Sequence, residues 1–160
     1  MTIRILTTGG TIDKVYFDQQ STFQVGEPQI LEVLREVNVT VPYALTPLLR
    51  KDSLELTDAD RQLIRQAVEG AGESRILLTH GTDTMVETAR ALQGIAGKTI
   101  VLTGAMQPAR FRQTDAVFNI AAAFTAVQLL PPGVYIAMNG RLFDPDQVRK
   151  NVAANRFESP

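Results

Sequence analysis

Arg75-Ile76-Leu77-Leu78-Thr79-His80-Gly81-Thr82-Asp83-Thr84-Met85 is the stretch that decides the fold. A short apolar run, Arg75 to Thr79, stops at a glycine-containing turn, and a helical period then takes over at Met85, Val86, Ala89 and Leu92. An apolar run of this length without alternation fits a strand covered on both faces, as in a parallel sheet. The pattern recurs outward from this unit. Ile3 to Thr8, Thr99 to Thr103 and Val134 to Met138 are further apolar runs, each followed closely by Gly or Thr. Between them, one helix face is marked by Ile30, Leu31, Leu34 and Val37, a second by Leu63, Ile64, Ala67 and Val68, and a third by Val117, Ile120, Ala121, Phe124 and Val127. Ala44 to Leu49 reads as one more strand.

Thr57 with Asp60 and Thr84 with Glu87 resemble capping boxes, in which a hydroxyl and a carboxylate satisfy the free N–H groups of a helix start. Gly70-Ala71-Gly72 reads as a helix stop, and no linker or repeat interrupts the sequence. Strands alternating with helices of ten or more residues imply right-handed crossovers and a doubly wound parallel sheet, an α/β domain over residues 1–160. Ligands of such sheets bind outside the carboxyl ends of the strands.

Composition narrows the chemistry. Of 160 residues 44% are hydrophobic, enough for one core, and a formal net charge of −1 without blocks of like charge gives no footprint for nucleic acid or an anionic membrane. There is no cysteine and a single histidine, His80, which removes a thiolate nucleophile, a disulfide framework and the usual zinc sites. No run approaches the roughly 18 apolar residues of a membrane span. The amino terminus lacks a leader pattern, so the expected location is cytoplasmic.

Three strand ends carry small hydroxylated loops: Thr7-Thr8-Gly9-Gly10-Thr11, Thr79 to Thr84, and Thr103-Gly104-Ala105-Met106. Neither phosphate-binding glycine motif is present. A threonine hydroxyl needs a base or a cation beside it to become a nucleophile. With these residue types the available activators are Asp83 and Lys150, although by residue type alone they read more readily as a helix-start carboxylate and a solvated lysine. His80 reads as a packing and hydrogen-bonding residue.

Thr8-Gly9-Gly10-Thr11-Ile12, His80-Gly81-Thr82-Asp83-Thr84-Met85 with Glu87-Thr88-Ala89, and Thr103-Gly104-Ala105-Met106-Gln107-Pro108 resemble the signatures of bacterial-type asparaginases and glutaminase-asparaginases. Asp52-Ser53-Leu54-Glu55-Leu56-Thr57 resembles that family's loop for the substrate carboxylate. The resemblance spans nearly the whole sequence but only about the first half of a full-length member, and it implies a flavodoxin-like three-layer sandwich.

It further implies hydrolysis of L-asparagine or a related small amide to the acid and ammonia, through a threonine acyl-enzyme and with no metal or organic cofactor. Thr11 matches the nucleophile; Thr82, Asp83 and Lys150 match the second threonine and its partners, with Asp83 also holding the substrate α-amino group. Ser53 matches the residue that grips the α-carboxylate. Gly10, Asp52, Gly81 and Ala105 complete the substrate site.

Three departures from the family pattern qualify this expectation. Phe23, in Phe23-Gln24-Val25-Gly26, stands where the family's mobile loop presents a tyrosine, and Tyr16 is the residue on that loop that could replace its hydroxyl. Leu54 stands where a glutamine is usual. The family's carboxyl-terminal domain, which helps pair subunits, has no counterpart in these residues. The alternatives are therefore an acidic amino-acid-binding or regulatory domain with little turnover, or a subunit of an amidotransferase-like assembly. The segment from about Thr114 to Leu130 is apolar nearly all round, which predicts burial in the core or a homodimer or larger homo-oligomer.

Overall fold

The computed structural model describes all of residues 1–160. The protein forms β1 (Ile3–Gly9), a hairpin of β2 (Lys14–Phe17) and β3 (Thr22–Val25), α1 (Ile30–Glu36), β4 (Tyr43–Lys51), α2 (Asp58–Gly70), β5 (Arg75–Thr79), α3 (Met85–Ala91), β6 (Thr99–Thr103) and α4 (Ala116–Leu129). It ends with β7 (Gly133–Met138), β8 (Arg141–Phe143) and a second hairpin of β9 (Arg149–Asn151) and β10 (Arg156–Glu158). The main sheet has the order β4-β1-β5-β6-β7-β8; all neighbours are parallel except β7 and β8.

Alternate residues of the strands feed two cores. Ile3, Ile5, Leu77, Val101 and Ala137 pack against α1 and α4, whereas Leu6, Ile76, Leu78, Ile100 and Leu102 pack against α2 and α3. Both faces are dry, which is why these strands read as unbroken apolar runs. The result is the three-layer α/β sandwich expected from the sequence. No helix is long and apolar enough to cross a membrane.

The strand order reverses at β1: the backbone leaves β1 for β4 on one side and then crosses to β5 on the other. That makes the carboxyl ends of β1 and β5 the switch point, where two successive crossovers diverge and leave a crevice. The Thr11 and Thr82 loops flank this crevice.

Several local readings are corrected. Thr57 and Asp60 do form a capping box, but Thr84 donates its hydroxyl to the Ser53 carbonyl at 2.8 Å and caps nothing. Two of the helices, α1 and α3, have only seven residues. Helix α2 stops at Gly70 with an extended Ala71 in place of a left-handed glycine cap. Half of α4 is buried under the sheet, while Val117, Phe118 and Leu129 stay exposed on its outer side.

Candidate active site

The crevice is assembled by glycines that let backbones touch. Gly10 has φ 87°, and a methyl group there would sit 2.4 Å from the Gly81 Cα. One on Gly81 would sit 2.6 Å from the Ser53 Cβ, and one on Gly104 would sit 2.2 Å from the His80 carbonyl oxygen. No side chain fits at those separations, so only glycine brings the ends of β1, β5 and β6 and the Ser53 turn into one cluster. The backbones that carry Thr11, Thr82 and Ser53 are thereby drawn together, and Ser53, Thr82 and Ala105 are buried.

Lys150 arrives from the far end of the sequence. Its Nζ donates to Thr82 Oγ1 at 2.8 Å and to Asp83 Oδ1 at 2.7 Å. The β9–β10 hairpin aims it there. Lys150 is the direct cross-strand partner of Phe157, and such partners point to the same side. Phe157 is fully buried in the second core, so Lys150 points inward with it, its side chain 16% exposed. Glu158 holds the hairpin together by accepting from Arg149, Asn151 and Arg156 at 2.7, 2.9 and 3.0 Å. Those donors keep its carboxyl at a pKa of about 2.

Asp52 caps the Ser53–Glu55 turn by accepting from the Leu54 N–H at 3.1 Å, and it pairs with Lys14 at 3.3 Å. Partial burial works against its charge, but the Leu54 N–H, Lys14 and the field of Lys150 together hold it below the usual carboxylate range. Ser53 itself is buried, under Gly81.

His80 is fully buried, and its Nδ1 lies 2.6 Å from the Gly81 carbonyl. A carbonyl only accepts, so Nδ1 carries the proton and Nε2 accepts from the Thr88 hydroxyl at 2.7 Å. Burial lowers its pKa to about 4, against the Gly81 carbonyl and aided by Arg61. It is neutral at neutral pH and braces the Gly81 turn.

The geometry does not bring Tyr16 into this group. Its ring packs on Phe23 and stays half exposed, and it makes no hydrogen bond to Thr11. Asp13, which sequence reading passed over, lies two residues beyond Thr11 and is 1% exposed. Its N–H bonds the Gly10 carbonyl at 3.1 Å, its carbonyl takes the Gly26 N–H at 2.8 Å, and its Oδ1 takes the Gln29 N–H at 2.9 Å. It thus ties the Thr11 turn to the base of the β2–β3 hairpin. Burial raises its pKa to about 7, opposed by the Gln29 N–H and Arg50. The one signal available was its position two residues after Thr11.

Similarity to known proteins agrees with this arrangement. The family model for the asparaginase amino-terminal domain matches residues 2–160. The chain is 29% identical to the L-asparaginase of Thermococcus kodakarensis, over 99% of this chain and 51% of that protein. It is 30% identical to a glutamyl-tRNA(Gln) amidotransferase subunit of Methanococcus maripaludis, over 89% of this chain and 36% of that protein. The crystal structure of L-asparaginase I from Vibrio cholerae superposes with a TM-score of 0.86 at 27% identity, over 99% of this chain and 51% of that one. The chain spans about half the length of these asparaginases. With three touching glycine turns, the Lys150 bridge and a family match over residues 2–160, the chain belongs to the asparaginase family, within its amino-terminal domain.

Proposed function

We propose that the protein is an amidohydrolase that converts L-asparagine or a related small amide to the carboxylic acid and ammonia through an acyl-enzyme on Thr11. The observation that carries this reading is Lys150 Nζ bonded at once to Thr82 Oγ1 and Asp83 Oδ1, at 2.8 and 2.7 Å. An ammonium donating to the Thr82 hydroxyl oxygen stabilises the Thr82 alkoxide, so Thr82 can take up the proton of an attacking nucleophile; Thr11 enters as that nucleophile through its place in the family's motif. Asp83 keeps the lysine in place and offers its second oxygen to the substrate α-amino group. Ser53 and the Asp52 turn hold the α-carboxylate. The amide of the substrate then lies between the two threonines.

Thr11 Oγ attacks the amide carbon, and backbone N–H groups of the Gly10–Thr11 and Gly81–Thr82 turns take the developing oxyanion. The proton released by the Thr11 hydroxyl is passed to the leaving nitrogen, which departs as ammonia; water, activated by the Thr82–Lys150–Asp83 group, then hydrolyses the ester, giving its hydroxyl to the carbonyl carbon and a proton back to Thr11. Tyr16 would join only through a movement of the β2–β3 hairpin.

A homodimer or larger homo-oligomer is part of the reading, supported by the uncharged, exposed side of α4 with Val117, Phe118 and Leu129. A second reading, an amide-hydrolysing member of an amidotransferase-like assembly, draws on the likeness to the Methanococcus amidotransferase subunit. Ammonia release from asparagine and from glutamine, run beside calorimetric titration with aspartate, tests the proposal. Turnover of either amide by the isolated protein supports it. Aspartate binding without ammonia would replace it with a binding or regulatory module.

A further inference from the structure

The β9–β10 hairpin that delivers Lys150 shares no strand pairing with the main sheet. The β10 backbone is tied to that sheet by one hydrogen bond, from the Phe157 N–H to Asn139 Oδ1 at 2.7 Å. Asn139 is thereby linked to the Thr82–Lys150 bond through Phe157 and its cross-strand partner Lys150. The chemistry proposed above makes no use of it.

Asn139 and Gly140 form the two-residue turn between β7 and β8, which pair up to Met138 and Arg141. Both have left-handed backbones, φ 53° and 72°, as such a tight turn requires. Of Asn38, Asn119, Asn139, Asn151 and Asn155, only Asn139 precedes a glycine. Three features expose this pair to reaction with itself. Gly140 has no Cβ to shield its nitrogen, and its N–H makes no backbone hydrogen bond. Asn139 is exposed, and a polar cavity of about 420 Å³ lined by Gln107, Asp115 and Asn155 opens beside it, so water reaches the carboxamide. The Phe157 N–H on Oδ1 polarises the side-chain carbonyl and is in place to take the negative charge that attack on its carbon creates.

We propose that Asn139–Gly140 is a modification site, where spontaneous deamidation through a cyclic imide converts Asn139 to isoaspartate and releases the hairpin that holds Lys150. The Gly140 backbone nitrogen attacks the Asn139 side-chain carbonyl carbon. Its proton passes to Nδ2, which leaves as ammonia, and a five-membered imide ring remains. Water opens that ring at either carbonyl, giving aspartate or, where the chain is rerouted through the former side chain, isoaspartate. Isoaspartate adds one carbon to the backbone, which a two-residue turn cannot absorb without losing its register. The carbonyl that accepted from Phe157 is drawn into the main chain. Strand β10 thus loses its tie to the main sheet, and Lys150 its fixed aim at Thr82 and Asp83. The loss of turnover that follows rests on the amidohydrolase reading; the modification and the loosening of β10 do not.

The test ages the wild type in mildly alkaline buffer and follows three readouts: peptide mapping by mass spectrometry with isoaspartyl methyltransferase labelling, hydrogen exchange at the Phe157 amide, and ammonia release from asparagine. Asn139 should convert ahead of every other asparagine. In the converted fraction the Phe157 amide should exchange roughly tenfold faster, the scale of one lost hydrogen bond. Ammonia release should fall in step with conversion. Gly140→Asn, which tolerates the positive φ and places a side chain beside the attacking nitrogen, should slow all three changes. The proposal is overturned if Asn139 stays intact, or if it converts while the Phe157 amide remains protected or turnover is undiminished. If fresh protein releases no ammonia, yet Asn139 converts and Phe157 loses protection, the amidohydrolase reading fails and the modification site stands.

Discussion

Replacing Asp13 by Asn should change the pH dependence of stability in a way that exposes two opposed titrations. In the folded protein Asp13 titrates at about 7 instead of 3.8, because burial disfavours its charge. Between those values the folded state holds a proton that the unfolded state has lost, so stability falls as pH rises, by about 1.4 kcal/mol per pH unit. His80 is displaced the other way, from 6.5 to about 4. Between those values the unfolded state holds the proton, so stability rises with pH at about the same rate. From about pH 4.5 to 6 the two slopes nearly cancel, and the wild type should be almost flat. Asp13→Asn keeps an oxygen for the Gln29 N–H and removes one titration. Its stability should then climb with pH by ~2 kcal/mol across the same interval, leaving the His80 slope bare. Urea unfolding followed by circular dichroism at several pH values reads this as a change of about 1 M in the midpoint difference between the proteins. Titrating surface carboxylates act alike in both and drop out of that difference. A variant curve parallel to the wild type would refute the assignment of Asp13 as a buried, protonated acid.

Lys150→Met should lower kcat by roughly 100-fold or more while changing aspartate affinity much less, as expected when a lost group acts on proton transfer and not on binding; equal losses in both would assign it to binding. Gly10→Ala drives a methyl into Gly81 at a left-handed φ of 87°, so it should destabilise the fold by ~2 kcal/mol or more and abolish turnover, read by thermal unfolding and ammonia assay together. Light scattering across a micromolar dilution series should give at least a dimer, and Phe118→Lys on the outer side of α4 should shift it to monomer; a monomeric wild type throughout would end the oligomer proposal.

The sequence carried the layers of the fold because both sheet faces are dry: Ile76 to Leu78 and Ile100 to Leu102 are apolar at every position and bounded by turn residues. It did not reveal the β2–β3 and β9–β10 hairpins. Their strands have only three or four residues, too short for a period of two to develop, and β9–β10 is held by ion pairs to Glu158 and one buried ring. The same limit applied to the site. Gly10, Gly81 and Thr82 stand in loops whose motif can be quoted, and the motif named them. How Lys150 gets there depends on Phe157 sharing its face of a hairpin, a tertiary fact with no local signature. Thr84 shows the converse: a capping pattern correct in spacing gave way to a hydroxyl bond to Ser53, because the crevice supplied a better partner. Asp13 was missed since a carboxylate after a turn ordinarily faces water, and only the return of Gly26 and Gln29 buries it.

The central claim is tested most directly by ammonia release from asparagine by the wild type and by Thr11→Val, a substitution that exchanges a hydroxyl for a methyl of similar size. With both proteins shown to be folded by circular dichroism, the wild type should turn asparagine over and the variant should fall to the rate of buffer alone. Undiminished turnover by Thr11→Val would contradict Thr11 as the nucleophile.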